Sequence, residues 1–186
     1  IKSMHNDIKE IIIDGKAIES RVRELAEEIK HDYAGSNRKL LLLSILKGSV
    51  MFTSELMKYL DIPCEIDFMK VSSYKNGTQS TLALNVLLDL NRDDLKNLDI
   101  LIVEDIVDTG NTLSHLKNML AQRGAGSVKI CTLLDKPSRR LVDLKPDYSG
   151  FVVPDYFVVG FGLDYAERYR NLPYIGILKP EVYEKN

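Results

Sequence analysis

The chain has 186 residues, of which 45% are hydrophobic and 28% charged, and its formal net charge is −2. This length suits one domain with a substantial apolar core, and the composition is ordinary for a globular protein. The slightly acidic balance argues against the broad basic face with which proteins bind nucleic acids. The longest apolar run is far too short to span a bilayer. Local groups, rather than a general positive field, would therefore hold a phosphorylated ligand.

The first part of the chain alternates helical and extended patterns. Four apolar residues recur at helical spacing after residue 14, with charged residues on the opposite face, and they predict an amphipathic helix. These four are Ile18, Val22, Leu25 and Ile29. Residues 39–46 then predict a buried strand, 49–60 a helix and 64–71 a second strand.

The segment 72–80, with the sequence SSYKNGTQS, is polar and rich in turn-forming residues. This composition predicts a mobile loop over about 72–81. The extended pattern resumes over 82–89, which predicts another strand.

The second half continues with a strand over 99–103, a helix over 112–122 and a strand over 128–134. This order predicts a right-handed parallel unit. Two further extended patterns, over 151–163 and 174–178, complete an α/β protein. Because ligands of open α/β sheets bind beyond the carboxyl ends of the strands, the residues that follow each strand are the candidates for function.

The two cysteines, Cys64 and Cys131, have no metal-ligand spacing, and each lies near an apolar run. We interpret both as reduced thiols of the interior, which suits a reducing compartment. The sequence also shows no secretory signal. We therefore expect a cytoplasmic protein with no membrane partner.

The segment VEDIVDTGNTL at 103–113 is the most informative about chemistry. Glu104 and Asp105 end a strand, Asp108 follows, and a small hydroxyl-rich turn leads into a helix. Amides at a helix N-terminus favour a phosphate, whereas ionised carboxylates only accept hydrogen bonds. Carboxylates next to a phosphate would repel it unless ribose hydroxyls donate to them or a divalent cation lies between. The segment therefore indicates recognition of a sugar phosphate. The alternative is an ordinary capped helix with solvated acidic residues.

This segment resembles the motif with which type I phosphoribosyltransferases bind PRPP (phosphoribosyl pyrophosphate). Six further motifs are similar to those of the hypoxanthine-guanine branch of that family and follow in family order between about residues 6 and 178. They are LKGS at 46–49, SY at 73–74, DKP at 135–137, PDYFVVG at 154–160, LDY at 163–165 and YRN at 169–171.

The resemblance implies a single domain over 1–186 with an α/β fold of the type I phosphoribosyltransferases. Its mostly parallel, twisted sheet would be flanked by helices and covered by a small hood from the terminal segments. The resemblance also implies that a flexible loop over about 72–81 closes the site and that the hood includes about 151–178.

For the sugar phosphate, the resemblance implies that Glu104 and Asp105 bind the ribose hydroxyls and help to hold a metal ion. Asp108 would be the catalytic general base near N7 of the purine. The implied phosphate-binding residues are Asp108, Thr109, Gly110, Asn111 and Thr112. The family often carries a basic residue where this chain has Asn111, so more of the phosphate binding would rest on backbone amides.

For the base, the resemblance implies that Lys136 donates to the 6-oxo group, that Phe157 stacks on the ring and that Val158 offers backbone groups. Without the family context, Lys136 would be interpreted as a solvent-exposed loop residue. Asp164 would bind the metal and lie close to the base. For the neighbouring Phe161 we expect ordinary core packing.

For the leaving group, the resemblance implies that Lys47, Gly48 and Arg170 bind pyrophosphate, and the peptide before Lys47 can be cis in this family. Ser73 and Tyr74 would belong to the closing loop, whose closure would exclude water.

The implied activity is transfer of the phosphoribosyl group from PRPP to hypoxanthine, and also to guanine, with Mg²⁺ as cofactor. The products would be IMP or GMP and pyrophosphate. The implied partners are these small molecules and other copies of the chain, in a homodimer or homotetramer, with no nucleic acid. Two alternatives stay open at this point: a nucleic-acid-binding regulator that keeps the fold, and a relative that prefers xanthine.

Overall fold

The structure is a computed structural model and describes residues 1–75 and 82–184. The strands in chain order are β1 (Ile8–Ile13), β2 (Lys39–Ile45), β3 (Cys64–Lys75), β4 (Leu82–Leu88), β5 (Leu98–Val107), β6 (Ser127–Asp135), β7 (Tyr148–Val152), β8 (Val158–Val159) and β9 (Ile175–Leu178). The helices are α1 (Gly15–Tyr33), α2 (Val50–Tyr59), α3 (Asn111–Gln122) and the short α4 (Pro180–Tyr183). Among the described residues, no helix has both the length and the apolar character needed to cross a membrane.

A six-stranded sheet in the order β4-β3-β2-β5-β6-β7 forms the centre of the protein, and only the edge strand β4 runs antiparallel to its neighbour. Successive residues of β2 point to opposite faces. Leu40 and Leu42 pack into the cluster formed with α1 and α2, whereas Leu41 and Leu43 pack into the cluster formed with α3. Helices thus cover both faces, which explains the continuous apolar run in the sequence and confirms the predicted fold class.

A second, three-stranded sheet in the order β1-β9-β8 is antiparallel and joins the two terminal parts of the chain. It forms the hood that the sequence predicted. The predicted beginning of the hood near residue 151 falls inside β7, which belongs to the main sheet. Only two residues of the extended pattern over 151–163 form a strand, β8. The sequence analysis did not foresee β1.

The prediction of a loop beginning at residue 72 was wrong, because Ser72–Lys75 continue β3. Ser73 and Tyr74 pair with Leu84 and Ala83 of β4. The antiparallel partner supplies hydrogen bonds that the polar composition of this segment did not reveal. The rest of the predicted loop, 76–81, lies outside the described residues.

Asp99 at the beginning of β5 is the most tightly held buried carboxylate of the sheet. Its oxygens accept hydrogen bonds from the hydroxyls of Ser36 and Ser127 and from Arg38 Nε, at 2.8 Å for the last. Burial opposes its ionisation, but these three donors outweigh burial and lower the pKa of Asp99 below its ordinary value.

We expect Asp99→Asn to lower the free energy of unfolding at pH 7 by about 1–3 kcal/mol, because buried donors lose their charged acceptor. The stabilisation is present above the pKa of Asp99 in the unfolded chain and is lost as the pH falls through the lower pKa of the folded state. The difference in the free energy of unfolding between the parent chain and the variant should therefore become smaller below about pH 4. Urea unfolding at pH 7 and pH 3 measures it.

The matched control is Asp93→Asn, which makes the same change on an exposed side chain. If the free energies of unfolding of the Asp99 variant and the parent chain differed by the same amount at pH 7 and pH 3, the ionised carboxylate of Asp99 would not be the stabilising group.

Candidate active site

The turn between β5 and α3 is shaped for an anion. Gly110 caps α3 with a φ of 83°, a left-handed conformation that glycine adopts without strain. Thr109 Oγ1 accepts from the backbone amide of Asn111 at 3.3 Å, so the hydroxyl lies at the beginning of the helix. The first amides of α3 and its dipole therefore meet at the end of β5, where an anion is favoured.

Arg140 holds this turn in place, and the sequence analysis did not identify it. Its Nη1 donates to the carbonyl of Asp108 at 2.9 Å, its Nη2 pairs with Asp135 Oδ1 at 2.5 Å and its Nε donates to the carbonyl of Leu144 at 2.8 Å. Arg140 is largely buried, so these contacts are shielded from water. The consecutive arginines after the DKP motif were the only signal in the sequence.

A first cavity of about 350 Å³ opens beyond the carboxyl ends of β2 and β5. Nine of the residues predicted to bind the sugar phosphate, metal or pyrophosphate line it. They are Gly48, Glu104, Asp105, Asp108, Thr109, Gly110, Thr112, Asp164 and Arg170. Four others predicted for this region, Lys47, Ser73, Tyr74 and Asn111, lie outside its lining. Asp164 lines this first cavity rather than the second cavity described below, where the base was expected.

Glu104 and Asp105 lie side by side at the cavity, each with some remaining exposure. Burial and the charge of Asp105 raise the pKa of Glu104 well above the ordinary glutamate range, and burial also raises the pKa of Asp105. Such a pair favours a nearby cation or hydroxyl donors.

The donor set at this edge suits Mg²⁺, which takes one or two carboxylates together with substrate oxygens and water. Among residues 1–75 and 82–184, no group of three or more His, Cys, Asp or Glu side chains could hold a metal ion. The adjacent carboxylates of Glu104 and Asp105 are of the kind that Mg²⁺ takes together with substrate oxygens and water.

Two glycines allow the backbone to approach the acidic pair. A Cβ at Gly48 would collide with the Asp105 carboxylate, and a Cβ at Gly162, where φ is 101°, would collide with the carbonyl of Gly48. The peptide between Leu46 and Lys47 is cis, as the resemblance allowed. The loop after β2 is thus in direct contact with both β5 and the hood.

Glu167 joins two of the predicted pyrophosphate-binding cations. Its Oε2 lies 3.0 Å from Lys47 Nζ, and its Oε1 lies 3.3 Å from Arg170 Nη2. Hydrogen bonding from Lys47, followed by that from Arg170, lowers the pKa of Glu167. Arg170 also lies 3.4 Å from Asp164 Oδ1 and donates to the carbonyl of Gly162 at 2.7 Å. Glu167 was not predicted from the sequence, although it stands between Asp164 and Arg170.

Of the two predicted closing-loop residues, Ser73 contacts the first turn of α3. Its hydroxyl shares a hydrogen bond of 2.6 Å with that of Thr112 at the beginning of α3. Tyr74 is exposed on the same strand. β3 is therefore fastened to the turn at Ser73.

A second cavity of about 480 Å³ adjoins the first and contains the predicted base-binding residues Lys136, Phe157 and Val158. Lys136 is only 8% exposed, and its Nζ donates to the carbonyl of Tyr156 at 2.7 Å. The interpretation of Lys136 as an exposed loop lysine was therefore wrong. An ammonium group has three donors, so Lys136 can offer a further hydrogen bond to a ligand.

Asp108 lines both cavities, and Ile106 is the other residue that they share. Arg139, which the sequence analysis also missed, lies beside Asp108 in the second cavity, with Nε 2.7 Å from Asp108 Oδ1. The other end of its guanidinium lies 3.4 Å from Asp155 Oδ2. The carboxylate of Asp108 is thus placed between the acidic first cavity and the second cavity, which contains Lys136 and Phe157.

A larger cavity of about 520 Å³ lies at the opposite edge of the sheet, near the amino ends of β2, β3 and β5. Its walls include Tyr33, Arg38 and Asp99, but none of the residues predicted for the site. The residue chemistry rather than the volume identifies the candidate site.

A turn that favours an anion, an acidic pair and an adjoining cavity with an aromatic side chain together suit a protein that handles a phosphorylated sugar. Residues 9–166 match the family model of the phosphoribosyl transferase domain.

Relatives narrow the class. The hypoxanthine-guanine phosphoribosyltransferase of Lactococcus lactis is 53% identical over 184 residues, which cover 99% of this chain and 98% of the relative. A crystal structure of a hypoxanthine phosphoribosyltransferase from Staphylococcus aureus superimposes with a TM-score of 0.90 and 49% identity, covering 98% of this chain and 97% of the other. The chain belongs to the phosphoribosyltransferase family, in its hypoxanthine-guanine branch.

The bifunctional protein TilS/HprT of Listeria monocytogenes is 50% identical over 184 residues, which cover 99% of this chain. The chain spans 28% of the length of that relative.

We expect Glu167→Gln to tighten the binding of inorganic pyrophosphate by about two- to fivefold. In the parent chain pyrophosphate has to displace the Glu167 carboxylate from Lys47 and Arg170, and in the variant this competing anion is gone. Titration calorimetry with pyrophosphate measures the change. Glu27→Gln, which removes one negative charge from the exposed face of α1, is the control for net charge. Equal affinities of the Glu167 variant and this control would contradict the prediction.

Proposed function

We propose that the protein transfers the 5-phosphoribosyl group from PRPP to hypoxanthine and guanine, giving IMP or GMP and pyrophosphate. The observation that carries this proposal is the position of Asp108, which lines both the acidic, amide-rich cavity and the cavity with Lys136 and Phe157. A carboxylate at this junction is within reach of both partners of a glycosidic bond. The relatives of this protein described above are named for the same activity.

On the base side, Lys136 would donate to the 6-oxo group and favour the negative charge that develops there. Adenine carries an amino group at that position and would leave the ammonium without an acceptor. Asp108 would accept the N7 proton as general base while the ring nitrogen attacks the anomeric carbon. Phe157 would hold the ring plane by offset stacking.

On the sugar side, the hydroxyls of the ribose would donate to Glu104 and Asp105. The amides at Gly110 and the beginning of α3, with Thr109, would hold the 5′-phosphate. Lys47, Arg170 and the backbone at Gly48 would bind the departing pyrophosphate, for which a planar guanidinium is well suited. Positioning both substrates in adjoining cavities would supply much of the rate acceleration.

Magnesium is the proposed cofactor, and Glu104, Asp105 and Asp164 are its candidate ligands, of which one or two would bind an ion together with substrate oxygens and water. The ion would supply Lewis-acid stabilisation of negative charge on the leaving group. The raised pKa of Glu104 supports this proposal, because a carboxylate pair at that spacing favours a neighbouring cation.

We also propose that the protein is cytoplasmic and associates with copies of itself as a dimer or tetramer. The free thiols of Cys64 and Cys131 suit a reducing compartment. Exposed apolar side chains on two neighbouring elements support self-association: Val50 and Met57 on α2 and Ile66 and Phe68 on β3.

A panel of purine bases tests the proposed activity. With PRPP and Mg²⁺, we expect the protein to convert hypoxanthine and guanine to their nucleotides and to leave adenine unchanged, as Lys136 requires a 6-oxo acceptor. Xanthine belongs in the panel, because its preference over the other two would favour the xanthine-specific alternative. Chromatography of the nucleotides measures turnover. Absence of product from every base would refute the proposed function.

Asp108→Asn tests the general base while keeping the size of the side chain. We expect turnover of hypoxanthine to fall by about 10²–10⁴-fold, because the amide cannot accept the N7 proton. Binding of PRPP, measured by calorimetry, should persist, since the other eight lining residues named above stay in place. Asp143→Asn, which makes the same change on an exposed side chain outside both cavities, is the control. Unchanged turnover in the Asp108 variant would remove this residue from the mechanism.

A further inference from the structure

One face of the Phe157 ring is in contact with an aromatic residue, Tyr183, that has no role in the proposed reaction. The ring of Tyr183, at the end of α4, stacks on Phe157 with 4.7 Å between ring centroids and 17° between planes. Tyr165 meets Phe157 edge-on, at 5.6 Å and 80°. Tyr183 also lines the second cavity, alongside Lys136.

These contacts leave one side of Phe157 available. Tyr183 covers one face and Tyr165 an edge, yet Phe157 is still 40% exposed. A flat ring has two faces, so a ligand that stacks on Phe157 while Tyr183 stays in place would take the face turned away from Tyr183. A purine that stacks on Phe157 would therefore be the third layer of a stack in which Tyr183 is the first.

The residues that lead into the helix of Tyr183 are hydrogen-bonded to two other parts of the hood. The amide of Leu178 donates to the carbonyl of Phe157 at 3.0 Å, and the amide of Lys179 donates to the carbonyl of Asp7 at 2.9 Å. Val182 and Tyr183 pack against the buried hood cluster that contains Val159. The backbone bond to Phe157 and the ring contact fix the two aromatic residues relative to each other.

We propose that Tyr183 is a positioning residue for the purine: it holds the Phe157 ring in the orientation that receives the base. This inference rests on the proposed function for the identity of the ligand. A ring already held in place loses less side-chain freedom when the base binds, so the stack favours binding rather than the chemical step. The effect should therefore fall on the KM of the base and leave kcat and the KM of PRPP unchanged.

Three variants of the full chain test the inference by steady-state kinetics. Tyr183→Ala should raise the KM for hypoxanthine by about three- to tenfold, which corresponds to the loss of one aromatic contact. Tyr183→Phe keeps the ring and should restore the parent value. Val182→Ala, which removes neighbouring hood packing without touching Phe157, should also keep it. Thermal unfolding of each variant shows whether the fold is retained.

Calorimetry with GMP separates this inference from the proposed function, because it needs no turnover. Tyr183→Ala should weaken GMP binding by the same factor, while Tyr183→Phe and Val182→Ala bind like the parent chain. If the base panel shows no product, the proposed activity fails, and the GMP affinities still decide the role of Tyr183. The inference would be overturned if Tyr183→Ala bound GMP as tightly as the parent chain or more tightly. It would also be overturned if the variant had a lower kcat together with raised KM values for both hypoxanthine and PRPP.

Discussion

The site depends on the central position of β5. This strand pairs in parallel with β2 on one side and with β6 on the other. Because the three strands run in the same direction, the segments that follow them meet at one edge of the sheet. The apolar residues of these strands pack against helices on both sides, and a register shift of one residue would exchange the side chains of the two faces. The packing of the core thereby sets the relative positions of Lys47, Asp108 and Lys136.

The charges at this edge are balanced within the protein. The acidic pair carries raised pKa values, Glu167 lies between Lys47 and Arg170, and Arg139 lies beside Asp108. Ion pairs that are open to solvent contribute little to stability. A polyanionic substrate that contacts several of these cations together can therefore replace an internal partner at small cost. The site can remain folded and still exchange partners when a substrate binds.

The hood adds the other half of the site. It is built from β1, β8 and β9, and its aromatic residues differ in exposure according to their place in it. Phe157 is half-exposed at the second cavity, whereas Phe161, only four residues later, is buried in the core as expected from the sequence. The same residue type lines a cavity in one position and packs in the core in the other. Neighbours from distant parts of the chain make the difference.

Local patterns and motifs predicted much of the fold and of the candidate site. The period of α1, the continuous apolar run of β2 and the turn after β5 depend on neighbouring residues, so a single sequence reveals them. Among the features that escaped prediction, three depend on distant partners. β1 forms by pairing with β9 near the other end of the chain, Ser72–Lys75 extend β3 by pairing with β4, and Arg140 acts through the carbonyls of Asp108 and Leu144.

The sequence by itself determined which chemical groups are available: an acidic pair, a third aspartate before a glycine-capped helix, a lysine after the next strand, and an aromatic run. Their order and spacing were enough to indicate the family. Only the tertiary structure decided which of these groups share a cavity, that Lys136 is buried, and that Tyr183 lies on Phe157. Burial and proximity arise from packing between segments far apart in the chain, and local residue patterns carry no record of those contacts.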